Sequence, residues 1–401
     1  MSVTRELLAM GFALAIAVAA GGAESRGDMK NTMNTVTGLF QPFWSATTQD
    51  RETLFFYQRQ EGEAAWARLL FPPDKILSVR SSNGTATYEE GKDFVLEKRD
   101  GVLRLLPGSK IPFKTPGEMY PPATSNLPKY KHKRGDPDTW LIFSEGHFFH
   151  DLQVDVTYTH APGLWKGYAP AFQGANLPVV LGKLKAKQPI TLCAVGDSIT
   201  AGYNATKMTN VAPFQPSYGE LAALGLERAY GAKVTFKNFA VGGWTSDQGL
   251  AKIDRVTAHE KPDLVIVAFG MNDTGGKDAA RFAANIRGII AAIKAATPDA
   301  EFVLVAPMLA NAEWHAPKME NFIPFRDALA GLCGHGAVLA DLTSVWSDLL
   351  QRKTFHDLTG NGVNHPNDFG HRLYAQTVLA LLVPSDVAAG MGGKIGPEIG
   401  P

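Results

Sequence analysis

The sequence predicts an α/β protein whose parallel sheet is covered by helices on both faces, preceded by a β-rich domain of sandwich or jelly-roll type. Three observations predict it. From Ile190 onward, short and almost wholly apolar runs alternate with stretches of helical period, as strands buried on both faces of a parallel sheet do. Before Tyr158, short apolar or alternating runs are broken by Gly, Pro, Asn and Asp clusters, the texture of antiparallel strands and turns. Between them, residues 161–187 carry spaced prolines and alternating Lys183, Lys185 and Lys187, and read as a linker along the surface. The expected boundaries are a signal peptide over 1–23, the β-rich domain over 36–180, the α/β domain over 187–385 and a disordered tail over 386–401.

Each part rests on local chemistry. Arg5 precedes an apolar run from Leu7 to Ala20, then Gly21, Gly22 and Ala23, the pattern of a secretory signal peptide. That run is shorter than the ~20 residues a membrane-spanning helix needs. The expected product is a secreted or periplasmic protein, free of the membrane after cleavage between Ala20 and Glu24. Residues 27–40 read as a polar leader. Strand signals follow in ARLLF, KILSV, DFVLEK and LQVDVTYTH, with a proline-rich surface loop over 110–138. Further on, strands are expected at 190–196, 233–241, 263–270, 301–307 and 337–341. Helices are expected at about 219–230, 247–259, 277–296, 318–332, 344–351 and 368–382. Right-handed crossovers place all strand-end loops of such a sheet on one edge, where open α/β sheets bind ligands.

The chain has 401 residues, of which 45% are hydrophobic and 19% charged, enough for two domains with cores. Its 39 basic and 39 acidic residues cancel, so no global field draws nucleic acid or an anionic membrane surface. A neutral or locally recognised substrate fits better. Cys193 and Cys333 are the only cysteines, too few for a disulfide framework, and read as two separate buried thiols.

Four loops in the second half carry unusual chemistry: Gly196-Asp197-Ser198; Asn238 to Trp244 with Gly242 and Gly243; Gly270-Met271-Asn272-Asp273; and Asn364-His365-Pro366-Asn367-Asp368. An apolar strand that stops at Gly196 and turns into a helix exposes the Ser198 hydroxyl, which makes Ser198 the candidate nucleophile. His365 is the candidate base, because imidazole titrates near neutral pH. The amides of Ser198 and Gly243 and the side-chain amide of Asn272 can supply three donors to a tetrahedral oxyanion. Asp197 reads as holding the turn, Asp273 as structural and Asp368 as the cap of the last helix. His147, His150 and His160 fit no compact metal motif and read as strand-edge histidines; no metal and no cofactor is expected. Asn83 and Asn204 open Asn-x-Thr sequons. Trp244, Trp314 and His315 follow strands and are candidates for lining an acyl or sugar pocket, with core packing as the alternative.

These blocks resemble the SGNH, or GDSL, hydrolase family, named for Ser, Gly, Asn and His in four blocks. Here they stand as Ser198 in GDSI, Gly243 in NFAVGGWTS, Asn272 in GMND and His365 in NHPND. The resemblance spans roughly residues 190–382, and four blocks in order are specific where one alone is weak. It implies a flavodoxin-like parallel sheet with ester hydrolysis at its carboxyl edge. One departure matters. The family's aspartate three residues before the histidine is replaced by Gly362. Two arrangements remain open: a Ser-His dyad with the imidazole oriented by a backbone carbonyl near Asn361 or Gly362, or Asp357 reaching His365 from earlier in the loop. The dyad is preferred.

The expected activity is that of a secreted serine esterase removing a short acyl group, acetyl foremost, from a small-molecule or polysaccharide substrate. The carbohydrate part rests on the expected secretion, the β-rich partner domain and the resemblance. A lipase or thioesterase acting on longer chains, a catalytically impaired polysaccharide-binding protein, and acyl transfer to a glycan are the alternatives.

Overall fold

The computed structural model describes residues 41–130, 133–276 and 278–390. The signal peptide and leader expected over 1–40, and the tail from 391 on, lie outside the described residues.

The first half contributes eight strands: β1 (Thr48–Phe55), β2 (Trp66–Arg68), β3 (Lys75–Ser81), β4 (Phe94–Glu97), β5 (Val102–Leu105), β6 (Lys129–Tyr130), β7 (Leu141–Ile142) and β8 (Gln153–Thr159). They form two three-stranded antiparallel sheets, β1-β8-β3 and β2-β5-β4, and a β6-β7 ribbon. In β8, Val154, Val156 and Tyr158 are buried while Asp155 and Thr157 are part-exposed, the alternation of a strand with one face in the core.

The second half holds β9 (Ile190–Gly196), β10 (Val234–Asn238), β11 (Leu264–Ala268), β12 (Glu301–Ala306) and β13 (Ala337–Asp341) in one parallel sheet. Its order is β10-β9-β11-β12-β13, with helices on both faces, as in a flavodoxin-like fold. Alternate strand residues feed opposite faces. Leu192, Ala194, Ile266 and Val303 pack with Tyr218, Leu221, Phe369 and Leu373 of helices Tyr218–Tyr230 and Asp368–Leu382. Cys193, Val195, Val265 and Leu304 pack with Phe282, Ile286 and Phe325 of helices Ala279–Ala296 and Phe322–Ala330. Each fully buried aliphatic or aromatic side chain contributes roughly 1.5–3 kcal/mol, so both faces are needed to bury strands this apolar.

The two halves share a core. Leu54, Phe56, Val154 and Val156 of the first half belong to the same cluster as Trp346, Leu349 and Leu373 of the second. Lys353 and Glu52, both fully buried, meet at 2.6 Å across this junction. Lys353 also donates to the Arg68 and Thr53 carbonyls, while Tyr158 and the Leu70 amide donate to Glu52. The pair is therefore hydrogen-bonded on all sides, the condition under which buried charge is tolerated.

Several expectations are revised. The stretch taken as a surface linker contains helix Pro178–Lys185, with Leu177, Val180, Leu181 and Leu184 buried. Glu301 of β12 accepts from the Val179 and Val180 amides at its start. Apolar spacing of three and four residues outweighs the alternating lysines, which lie on the outer side. The helix expected over 247–259 is two pieces, Ser246–Ala251 and Asp254–Thr257. Ser385–Gly390 is helical where the tail was expected to begin, and Val387 and Ala388 pack on the shared core. Of the two cysteines, both free, Cys193 is buried and Cys333 part-exposed. Among the described residues no helix is long and apolar enough to cross a membrane.

Candidate active site

β9 ends at Gly196, and the chain turns directly into the short helix Ser198–Ala201. Only glycine fits at 196: a Cβ there would meet the Ala268 carbonyl oxygen at 2.5 Å and Thr200 Oγ1 at 2.6 Å. Asp197 caps the helix by accepting from the Ile199 amide at 3.0 Å, which leaves the Ser198 side chain free of capping. Burial pushes the Asp197 carboxyl up to about 7, against the amide bonds it accepts and the nearby His365.

His365 Nε2 lies 2.8 Å from Ser198 Oγ. The loop carrying His365 is held in part by the first half of the chain. Gln153 donates to the His356 and Thr359 carbonyls. Within the loop, Asn361 Oδ1 accepts from the amides of Val363, Asn364 and His365, a nest that sets the approach of the imidazole.

The two other blocks are clamped together. Asn272 Nδ2 donates to the Trp244 carbonyl at 2.9 Å, using one of its two N–H groups. The adjacent Asp273 accepts from the Ser246 amide and hydroxyl, and its carboxyl is raised, first by burial. Val241 N donates to Gly196 O, which ties the Gly242-Gly243 turn to the nucleophile strand. Gly243 sits at φ +77 in open space, its backbone on the exposed rim. A Cβ on Gly242 would meet Tyr203 Oη at 2.7 Å, and the Tyr203 ring lies edge-on to His365 at 5.4 Å.

Neither expected partner of His365 Nδ1 reaches it. Asp357 is buried and its carboxylate is committed elsewhere: Oδ1 accepts from the Phe55 amide and Oδ2 from Thr354 N and Oγ1. It tethers the histidine loop to β1. The Gly362 carbonyl accepts from Asn311 Nδ2, and at φ +92 a Cβ would strike the Ile142 carbonyl and the Phe149 ring, so this position packs rather than orients. Nδ1 instead faces Asn204 Oδ1 at 2.8 Å and Glu145 Oε2 at 3.2 Å. Sequence reasoning singled out neither. In sequence Asn204 shows only a sequon; in the fold it is buried and its Nδ2 donates to the Gly146 and Gly360 carbonyls. Those two acceptors fix the amide with its oxygen toward the imidazole. Glu145 Oε1 accepts from Asn361 Nδ2. Burial works to raise the Glu145 carboxyl, but the hydrogen bond and charge of His365 and the donors of Asn361 and Asn204 hold it below the usual range.

Other expected roles move by small steps. Asn367, not Asp368, caps the last helix, accepting from the Gly370 amide. Asp368 accepts from Thr206 N and Oγ1. His147 and His150 belong to the short helix Phe148–Leu152 and its cap, not a strand edge. They bond Asp151 and the Ala212 carbonyl, while His160 bonds the Ala161 carbonyl. Among the described residues no group of His, Cys, Asp and Glu forms a metal site. Trp244 packs against the buried cluster that includes Phe269 and Phe282, with the Arg255 guanidinium 5.4 Å from its ring centroid. Trp314 and His315 lie against Tyr130 instead.

A hydroxyl against an imidazole, with amide donors on the facing turn, is the equipment of acyl transfer through a serine ester. Residues 194–373 match the model of the GDSL-like Lipase/Acylhydrolase family. An arylesterase of Vibrio mimicus is 33% identical over 82 residues, covering 20% of this chain and 37% of that protein. The chain thus spans little more than a third of the curated relative it matches. Among solved structures, a two-domain esterase active on acetylated mannans aligns over 58% of this chain and 57% of its own, at 20% identity and TM-score 0.42. An acetyl-xylooligosaccharide esterase from Geobacillus aligns over 48% of this chain and 94% of its own, at 18% identity and TM-score 0.39.

Proposed function

We propose that this protein, whose residues 194–373 match the model of the GDSL-like Lipase/Acylhydrolase family, is an exported serine esterase cleaving short acyl esters, acetyl foremost, from carbohydrate. The observation that carries the reading is the 2.8 Å approach of His365 Nε2 to Ser198 Oγ, with Nδ1 turned toward two acceptors. Acceptors on that side demand the tautomer with hydrogen on Nδ1, which leaves the Nε2 lone pair to take the serine proton.

In the proposed reaction Ser198 Oγ attacks the acyl carbonyl as its proton passes to His365 Nε2. The developing oxyanion is met by the Ser198 and Gly243 amides and the remaining Asn272 N–H. Collapse breaks the ester C–O bond, and the alkoxide leaves with the proton held on Nε2. Water, deprotonated by the same nitrogen, then attacks the acyl-serine; the acyl–Oγ bond breaks, Nε2 returns the proton to Ser198 Oγ, and the carboxylic acid is released. Each oxyanion donor of this kind is worth ~2.7–4 kcal/mol of barrier in serine enzymes.

The carbohydrate part is supported by an aromatic group next to the arm that carries Glu145. Tyr130, 40% exposed, lies 5.2 Å from Phe143, 6.3 Å from Trp314 and 6.2 Å from His315 between ring centroids. Flat aromatic faces of this kind offer apolar area at little entropic cost to the C–H face of a sugar ring. Export rests on the apolar run from Leu7 to Ala20. Acetate release from acetylated oligosaccharides, abolished by Ser198→Ala, tests the reading; hydrolysis of p-nitrophenyl acetate without release from any acetylated glycan would remove its carbohydrate part.

A further inference from the structure

We propose that Glu145, from the first half of the chain, is the acid of the catalytic constellation, making it Ser198–His365–Glu145 with Asn204 as the neutral partner of the same nitrogen. The assignment rests on the serine-esterase reading and adds to it the positioning residue that the histidine loop lacks. Where the family resemblance leads one to look for a carboxylate, Gly362 has no side chain and packs against Ile142 and Phe149, and Asp357 is spent on Phe55 and Thr354. Glu145 Oε2 stands 3.2 Å from His365 Nδ1 instead.

The placement is built. The arm 144–146 leaves β7 and is fastened to the catalytic half at three points. The Ser144 amide donates to the Asn361 carbonyl at 3.2 Å, Asn361 Nδ2 to Glu145 Oε1 at 3.0 Å, and Asn204 Nδ2 to the Gly146 carbonyl at 2.9 Å. Asn361 thus grips both sides of the contact, since its Oδ1 collects the amides leading into His365. The two acceptors divide the work. Asn204, buried and closer at 2.8 Å, fixes the ring and its tautomer but carries no charge. Glu145 carries the charge. As the Oγ–C bond forms and the serine proton arrives on Nε2, the imidazolium holds hydrogen on both nitrogens, and the Glu145 carboxylate faces the Nδ1–H that has become cationic.

The consequence is that the β-rich half is part of the catalytic machinery and not only a neighbour of it. A carboxylate contributed from 220 residues before the histidine is present only while the two halves are packed.

The test compares Glu145→Gln, Glu145→Asp and Ser198→Ala in the full-length protein, with kcat and KM on p-nitrophenyl acetate. Glutamine keeps the acceptor for Asn361 and removes the charge. It should lower kcat by roughly 10- to 100-fold with KM within about two-fold, less than the ~10⁴ lost when the orienting acid and its tautomer control both go in a serine protease, because Asn204 still holds the tautomer. Glu145→Asp should restore part of the lost kcat. Wild-type kcat in Glu145→Gln overturns the assignment, as does an aspartate variant no better than glutamine. Ser198→Ala separates this from the underlying reading: if it keeps turning over substrate, the serine-esterase reading itself fails, whatever Glu145→Gln does.

Discussion

Asn204 Oδ1 and His365 Nδ1 stand 2.8 Å apart, and the orientation of that amide is dictated by the two carbonyls its nitrogen serves. Asn204 also adopts a left-handed backbone at φ +62, a conformation asparagine tolerates better than most residues. Asn204→Ala therefore removes a histidine partner, orphans two carbonyls and strains the turn. Stability should fall by about 1–3 kcal/mol for the buried groups left unpaired, and kcat should fall with it. Thermal unfolding and steady-state kinetics on the same preparation check both. An alanine variant with unchanged kcat would mean that Asn204 only braces the loops.

Lys353 is a cation buried between the halves. Lys353→Met leaves Glu52 charged and without its ion-pair partner and should cost about 3–5 kcal/mol. The double change Lys353→Met with Glu52→Gln should cost less than the sum of the single ones, because neither partner then carries a stranded charge. Denaturant unfolding of the four proteins gives the coupling directly.

The Asp197 carboxyl is raised to about 7, so the folded state holds a proton that the unfolded chain releases near pH 4. Its contribution to stability is fully present below about pH 4 and is lost as pH rises through about 7. His356 and His371, both lowered to about 4 by burial, act in the opposite sense and weaken the fold as pH falls from 6.5 toward 4. The carboxyl is isolated by Asp197→Asn, which keeps the helix cap. The stability difference between wild type and this variant should move against wild type between pH 5 and pH 8; a difference flat in pH would contradict the raised value.

A chain beginning at residue 187 loses Glu145, β1, β8 and the first half's share of the common core. We predict that it is poorly soluble and hydrolyses neither p-nitrophenyl acetate nor acetylated glycan. Retained turnover of the small ester by a folded fragment would show that the first half serves the substrate alone.

Much of this was legible in the sequence, for identifiable reasons. The strands of the parallel sheet are apolar on both faces, so β9, β11, β12 and β13 announce themselves, and helix Asp368–Leu382 is found at its observed ends from its apolar period, although its cap is Asn367 and not Asp368. Ser198, Gly243, Asn272 and His365 stand out because strand-end glycines and polar residues interrupt apolar runs, and the structure brings their loops to one edge of the sheet. The partners of His365 were not legible. Glu145 sits in a short Ser-Glu-Gly turn between the apolar residues Trp140 to Phe143 and Phe148-Phe149, with no local signal of its own, and its role exists only through packing of segments 220 residues apart. β1 reads as polar because Asp50, Arg51 and Glu52 interrupt it, and Glu52 is buried only by virtue of Lys353. Helix Pro178–Lys185 was mistaken for a linker because proline at a first helical turn and proline in an extended segment look alike in one dimension.

The most direct measurement is an acid-quenched reaction of the full-length protein with p-nitrophenyl acetate, followed by mass mapping of the peptides. A burst of one p-nitrophenolate per protein, with one acetyl group on the peptide bearing Ser198 and none in Ser198→Ala, is the expected result. Turnover with no acetyl on that peptide, or turnover that survives Ser198→Ala, would contradict the account at its centre.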